Sequence, residues 1–379
     1  MSRNTMKRYI VAHRQGIDGL ELQTDAPVPL LRTPTDVSLK KQDDVIDLNQ
    51  IRISIKFLSL NARDLQIVRS DYPAPHEVPH NVVPVSDGCG VVESVGSEVT
   101  LFKVGDRVAP VFPQGHHYEE DLALKNLKRG LGGAIDGVAA EYFVCDQEEA
   151  VVIPETFTLE QGATLPVGFT TAWSSLMSHH PKLQSGQTVL CLGTGGVSLC
   201  AAQIALISGA RVILTSSSQS KLDRAYKLLQ PLVAPSAPKN VVQTIDYSKI
   251  DEWDKEARRL NGGKGVDFVI EVAGRGTIAR SIRSTRMGGL VAVSGYMSDY
   301  KSIPDSVLQE DIAKTILYSA ANVRGVFVSN REDFKTMSAS LEIGGVQPII
   351  DKTFKFSELR AAYQYMADGK HFGKVCIEV

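Results

Sequence analysis

The sequence predicts an α/β protein of two domains, a β-rich part followed by a doubly wound parallel sheet. Three observations predict it. The chain's 379 residues exceed what one hydrophobic core serves. Short β-like runs punctuated by Pro, Gly and Asp fill residues 1–150. From about Leu159 strands and helices alternate, which implies parallel strands with crossover helices.

Composition narrows the class. Hydrophobic residues make up 43% and charged residues 22%, as in ordinary globular proteins. A formal charge of −2 gives no electrostatic reason for nucleic acid or an anionic membrane as partner. Five scattered cysteines form no C-x-x-C pair; they read as small buried hydrophobes in a reducing compartment. Met1–Tyr9 is polar and basic without the apolar run of a signal peptide. No stretch approaches the ~18 consecutive apolar residues of a membrane span. A soluble, cytoplasmic protein is expected.

Taken in order, Ile51–Phe57, Gly90–Val95, Asp106–Pro110 and Ala140–Val144 read as strands. Gly115–Gly133 is polar and loop-like, a connector or a lid. Leu159–Met177 reads as helix. Thr188–Leu192 is then a strand, Gly193–Gly196 a turn, Val197–Ser208 a helix, Ala210–Thr215 a strand and Ser220–Leu229 a helix. Pro231–Asn240 reads as a surface loop. Val266–Val272 and Leu290–Ser294 are runs of buried-strand length. A helix, a strand near Val346–Phe354, a helix at Ser357–Asp368 and a strand at Lys374–Val379 close the chain.

The strongest local signal is Gly193-Thr-Gly-Gly-Val-Ser198 between strand and helix. Gly193 permits the tight turn and Gly195 lets backbone approach a pyrophosphate. The helix start at Gly196 and Val197 offers unpaired N–H groups to phosphate. Ser198 stands where the dinucleotide fingerprint has its third glycine, a position that governs helix–strand packing. A Rossmann-type nucleotide-binding domain follows. The alternative is a tight turn without ligand.

The second strand runs into Thr215-Ser-Ser-Ser-Gln-Ser-Lys221, with no carboxylate to hold a ribose 2′-OH. Ser216 and Ser217 can donate hydrogen bonds to a 2′-phosphate and Lys221 can supply charge, so the cofactor expected is NADPH. A Ser-rich turn capping the next helix is the plainer reading, and both can hold together.

The chain resembles the medium-chain dehydrogenase/reductase superfamily along nearly its whole length. The marks are Pro84-Val-Ser-Asp-Gly-Cys-Gly-Val-Val-Glu-Ser-Val-Gly96, Phe102-Lys-Val-Gly-Asp-Arg-Val108, Ala163-Thr-Leu-Pro-Val-Gly-Phe-Thr-Thr-Ala-Trp173 and His371-Phe-Gly-Lys-Val-Cys-Ile377. The resemblance implies a GroES-like, partly barrel-shaped catalytic domain from residues 1–158 and 329–379. A Rossmann domain, residues 159–328, is inserted in it. It places Asn61, Ser86 with Asp87, and Val167 where zinc-dependent members hold their metal, and Asn and Val cannot complete a tetrahedral zinc site. No metal is therefore expected. His116-His117 and His179-His180 read as surface or active-site-rim residues.

The zinc-independent, quinone-oxidoreductase-like branch is the nearer likeness, through Leu58-Ser-Leu-Asn-Ala-Arg-Asp-Leu-Gln-Ile-Val-Arg-Ser-Asp-Tyr-Pro73. The resemblance implies that Asn61, Asp64 and Tyr72 line the catalytic site. Asp64 reads as a carboxylate ordering the loop more than as a proton carrier. Tyr72 reads equally as packing ahead of Pro73 or as catalytic. Thr171, Gly274, Ser294, Gly295, Phe327 and Val328 are implied cofactor contacts. Substrate selection would fall to the 112–135 loop and residues near 296–312.

Three functions remain open. One is hydride transfer from NADPH to an α,β-unsaturated carbonyl or quinone, with Asn61 and Tyr72 as donors to the oxygen. Another is a zinc-free alcohol/carbonyl dehydrogenase, and the third a non-catalytic NADPH-binding protein. The expected partner is a small-molecule substrate, with a homodimer by analogy with the superfamily.

Overall fold

The computed structural model describes residues 4–28, 30–31, 45–46, 48–73, 77–121, 128–297 and 302–379. Parts of the 112–135 loop and of the 296–312 segment lie outside the described residues. Two compact units emerge. One comprises residues 1–170, 330–342 and 350–379, the other residues 171–329 and 343–349.

Alternation builds the first unit. In the Gln50–Leu60 strand Ile51, Ile53 and Ile55 are buried while intervening residues are less so, the period of a sheet with one apolar face. One edge of this strand pairs antiparallel with Asp87–Val95. The other edge takes Lys374–Glu378 and Tyr142–Asp146 in turn. Arg107–Pro110 and Ala150–Val152 extend the sheet on one side and Ile350–Lys355 on the other, making seven strands. Thr5–Val11 and Leu20–Pro27 form an antiparallel hairpin with Tyr9, Ile10 and Val11 buried. The polar N-terminal segment thus leads straight into a core strand.

The second unit holds six parallel strands. Their spatial order is Val242–Asp246, Arg211–Ser216, Thr188–Cys191, Val266–Glu271, Thr285–Val293, Asn322–Gly325. Numbered along the chain this is 3-2-1-4-5-6, the doubly wound order. Thr188–Cys191 is buried throughout, as a parallel strand covered on both faces must be. Leu190, Ile213, Val269 and Val291 from four strands meet Trp253, Ala257 and Ile282 from the helices in one core.

The elements depart from the sequence expectations in instructive places. The strand read at Ala140–Val144 lies at Tyr142–Asp146. The segment read as one helix, Leu159–Met177, is helical but broken by π-helical turns at Leu165–Phe169 and Ser174–Ser178. Pro166 removes a backbone donor at the first of them. Val242–Asp246 and Asn322–Gly325 escaped the reading because Val-Gln-Thr-Ile-Asp and Asn-Val-Arg-Gly are short and polar. Pairing with a neighbouring strand makes them strands.

Candidate active site

The nucleotide-binding features belong to the second unit. Gly193 follows the first parallel strand with φ of 79°, a left-handed conformation that favours glycine. Its N–H donates to Thr215 Oγ1 at 3.2 Å, tying the turn to the next strand. A Cβ on Gly193 or Gly195 would meet nothing within 4 Å, so both open onto free space of the kind a pyrophosphate needs. Gly195 caps the Gly196–Ile207 helix without a side-chain bond, leaving the helix start to an external acceptor. Val197 is half-buried. Ser198 is buried and donates to Leu192 O at 2.6 Å, so its hydroxyl closes the turn where the fingerprint has glycine.

At the end of the second strand Ser216 is buried and Ser217 exposed. Ser218 caps the Gln219–Leu229 helix, accepting from the Lys221 N–H at 3.4 Å. The Ser216 hydroxyl accepts from the Ser218 N–H at 3.2 Å. A carboxylate does stand nearby: Asp246, across the ladder from Ser216. It is engaged by Ser248 Oγ at 2.6 Å and by Lys249 Nζ at 3.2 Å, which hold it below the usual carboxylate range. Its strand was missed in the sequence, and Asp246 with it.

The fourth strand ends in Glu271, wholly buried, which sequence reasoning also passed over. Its carboxylate accepts from the N–H groups of Ala273 at 2.7 Å and Gly274 at 2.9 Å, and from the hydroxyls of Thr277 and Ser281. It thereby fixes the loop carrying Gly274, whose φ is 83°. Burial raises the Glu271 pKa against those donors. Ser294 N–H donates to Glu271 O at 2.8 Å, and a Cβ on Gly295 would strike Val272 O at 2.6 Å. Thr171 is buried and accepts from Ser175 Oγ through its carbonyl; Phe327 is half-buried and Val328 buried.

The catalytic candidates belong to the first unit. Asn61 ends the Gln50–Leu60 strand and caps the Ala62–Val68 helix, with its own N–H bonded to Asp64 Oδ2 at 2.7 Å. Asp64 is 1% exposed. Burial pushes its carboxyl up to about 6, opposed chiefly by Arg63. The Arg63 guanidinium lies over two rings, 5.0 Å from the centre of Tyr72 and 4.5 Å from that of Phe112, and donates to Leu131 O at 2.8 Å. Tyr72 is half-buried on that guanidinium.

Lys374, on the closing strand, is the side chain the sequence reading did not single out. Its side chain is 3% exposed. It donates to Asn61 Oδ1 at 2.7 Å, to Leu60 O at 3.1 Å and to Asp87 Oδ2 at 3.1 Å. A lysine opening an apolar strand, Lys374-Val-Cys-Ile, was the available signal, since a lysine is almost never buried without partners. Asn61 Nδ2 donates to Ser86 Oγ at 3.3 Å. Ser86 and Asp87 follow Val85, which is buried with φ of 71°. A β-branched residue there carries strain of order 1–3 kcal/mol, a frequent mark of functional backbone.

These residues do not fit a zinc ion. Asn61 Oδ1 and Asp87 Oδ2 are both turned onto Lys374, Ser86 accepts from Asn61, and Val167 has no donor atom. Among the described residues no group of three or more His, Cys, Asp or Glu side chains is placed to hold a metal. His116 is buried, not a surface residue. His117 lies 3.5 Å from Glu148 and 3.3 Å from Glu149. His179 is half-buried and His180 exposed. All five cysteines are buried and free. No described helix is long and apolar enough to cross a membrane.

A doubly wound sheet with an open glycine turn, joined in one chain to a sheet unit with a buried polar cluster, defines a nucleotide-dependent class of protein. Comparison with known proteins specifies it. Residues 47–155 match the alcohol dehydrogenase GroES-like domain and residues 196–342 the zinc-binding dehydrogenase family. A zinc-type alcohol dehydrogenase-like protein of Schizosaccharomyces pombe is 36% identical over 333 residues, 87% of this chain and 91% of the relative. Human quinone oxidoreductase is 25% identical over 361 residues, 93% and 92% of the two chains. A solved NAD-dependent alcohol dehydrogenase superposes with a TM-score of 0.81 at 27% identity, covering 99% of this chain and 100% of that one. The chain belongs to the medium-chain dehydrogenase/reductase superfamily. It is an oxidoreductase of a family that binds a nicotinamide cofactor, and nothing among these relatives supports a non-catalytic role.

Proposed function

We propose that this oxidoreductase uses NADPH to reduce an α,β-unsaturated carbonyl or a quinone, without a metal. The observation that carries the cofactor choice is the end of the second parallel strand. Buried Ser216, exposed Ser217 and half-buried Lys221 stand where an NAD-selective site places a carboxylate. Asp246 is drawn onto Ser248 and Lys249, so its charge is partly compensated. The NAD-dependent description of the solved neighbour belongs to that protein.

When bound, the nicotinamide supplies the hydride. The glycine turn and the helix start would hold the pyrophosphate, and Ser216, Ser217 and Lys221 would hold the 2′-phosphate. Negative charge developing on the acceptor oxygen needs a donor, and Asn61 supplies an amide. Tyr72 is a second donor. Neutral donors suit a conjugated acceptor, whose charge spreads along an enolate that water can protonate. A zinc-free alcohol/carbonyl dehydrogenase is the competing reading.

Steady-state NADPH oxidation tests this with a cyclic enone, a quinone and an aldehyde side by side. Turnover of the first two well above the third is expected, and the reverse order favours the competing reading. Lys221→Ala should raise KM for NADPH roughly tenfold to a hundredfold, the worth of a charge-assisted bond, and leave KM for NADH nearly unchanged. Equal effects on both cofactors would refute the assignment of the 2′-phosphate.

A further inference from the structure

We propose that Lys374 is a positioning residue that fixes the direction of the Asn61 amide. This rests on the reading of Asn61 as the donor to substrate oxygen. The two ends of a carboxamide have nearly the same shape, and only hydrogen-bond partners decide which way it points. An ammonium offers donors alone, so the end of Asn61 that meets Lys374 must be the carbonyl, and Oδ1 lies 2.7 Å from Nζ. The NH2 end is then turned away from Lys374, with Ser86 Oγ at 3.3 Å. A water molecule or a serine in place of the ammonium could accept as well as donate and would tolerate either direction.

The surroundings satisfy the ammonium in full. Its three protons match three acceptors: Asn61 Oδ1, Leu60 O and Asp87 Oδ2. Asp87 is wholly buried and lies 3.1 Å from Nζ, so neither buried group is left without a partner. Backbone geometry holds all three parts in register. Val375, next to Lys374, pairs with Leu60, next to Asn61, and Ser59 pairs with Asp87. Three strands of one sheet therefore bring the ammonium, the amide and the carboxylate together.

The test is a double-mutant cycle with two readouts. Replacing Lys374 alone would strand the Asp87 charge, so the ion pair is removed together as Asp87→Asn with Lys374→Met. With Asn61 present, this pair of changes should lower kcat at saturating NADPH and enone roughly tenfold to a hundredfold, the cost of a misdirected group. NADPH affinity should stay within about twofold. In an Asn61→Ala background the same changes should alter kcat by less than about twofold, because the group they position is gone. Equal fold losses in both backgrounds overturn the proposal. Lys374→Gln together with Asp87→Asn supplies the same cycle should the first pair unfold.

The second readout needs no turnover. In protein labelled with 15N-asparagine, the Asn61 side-chain amide is assigned by its loss in Asn61→Ala. It should give one pair of NH2 cross-peaks in the wild type, and a shifted pair or two pairs in the variant. An unchanged signal overturns the role of Lys374 whether or not any acceptor is reduced. A wild type that reduces no enone or quinone instead overturns the functional reading, and the amide signal still decides the present one.

Discussion

At the scale of single residues, the first unit places an unusual load of charge out of water. Asp64 and Asp87 are buried beside Arg63 and Lys374, and burial raises both carboxyls. Asp64 moves from 3.8 to about 6. Between about pH 4 and pH 6 the folded chain keeps a proton on Asp64 that the unfolded chain has released. Its contribution to stability is therefore full below that window and lost as pH rises through it, by roughly 3 kcal/mol. Asp87 and Glu271 act with the same sign, so the wild-type slope is composite. Asp64→Asn isolates one part of it. Denaturant unfolding at pH 4 and pH 6.5 should show the wild type losing about 2–3 kcal/mol more than the variant across the interval. Parallel pH profiles would mean that Asp64 is ionised in the folded chain throughout. Of the residues in and around this cluster, the sequence offers only Asn61, Asp64 and Tyr72 as catalytic candidates. Lys374, Arg63 and Glu271 look like surface charges until the sheet buries them, and a sequence shows charge but not burial.

At the scale of elements, the turn that presents Ser86 and Asp87 depends on glycines distant in sequence. A Cβ on Gly137 would lie 2.2 Å from Val85 O and 2.6 Å from Pro84 O. Val138 N–H also donates to Val85 O at 2.9 Å. Gly137→Ala must therefore push the strained Val85 backbone. It should cost about 1–3 kcal/mol of stability, as overpacking does, and lower kcat as well because Asp87 moves with the turn. Gly325→Ala is the control. Its Cβ would meet nothing within 4 Å, so it should change stability by less than about 0.5 kcal/mol. Denaturant midpoints and kcat for the two variants check both statements, and a harmless Gly137→Ala would show that this turn yields easily. Elements whose own residues decide their state were legible: the Gln50–Leu60 alternation, the apolar Thr188–Cys191 run and the glycine turn after it. Elements decided by neighbours were not. The Asn322–Gly325 strand exists because Thr285–Val293 offers it a ladder, and the π-helical turn at Leu165–Phe169 answers to packing around Pro166. Ser198 shows the same limit at one position. Its small size was readable, but its bond to Leu192 O was not.

At the scale of the whole molecule, every cofactor-binding candidate discussed falls within residues 171–329, one compact unit of the two. Ligand binding stabilises only the state that binds, by RT ln(1 + [L]/Kd). NADPH at about a hundred times its Kd should add about 2.7 kcal/mol to the unit holding the glycine turn. For a unit of this size that is a rise of roughly 5–11 °C in its melting temperature, at 2–4 °C per kcal/mol. Scanning calorimetry at matched concentrations of NADPH and NADH reads this directly. If the units melt separately, the transition of the 171–329 unit should carry the shift. The comparison between cofactors is the sharper measurement, because the pyrophosphate and both rings are common to them. Only the 2′-phosphate differs, so any excess shift with NADPH comes from groups that meet that phosphate. Lys221→Ala should therefore shrink the excess and leave the NADH shift in place. Equal shifts for the two cofactors in the wild type would leave Ser216, Ser217 and Lys221 as no more than the cap of a helix.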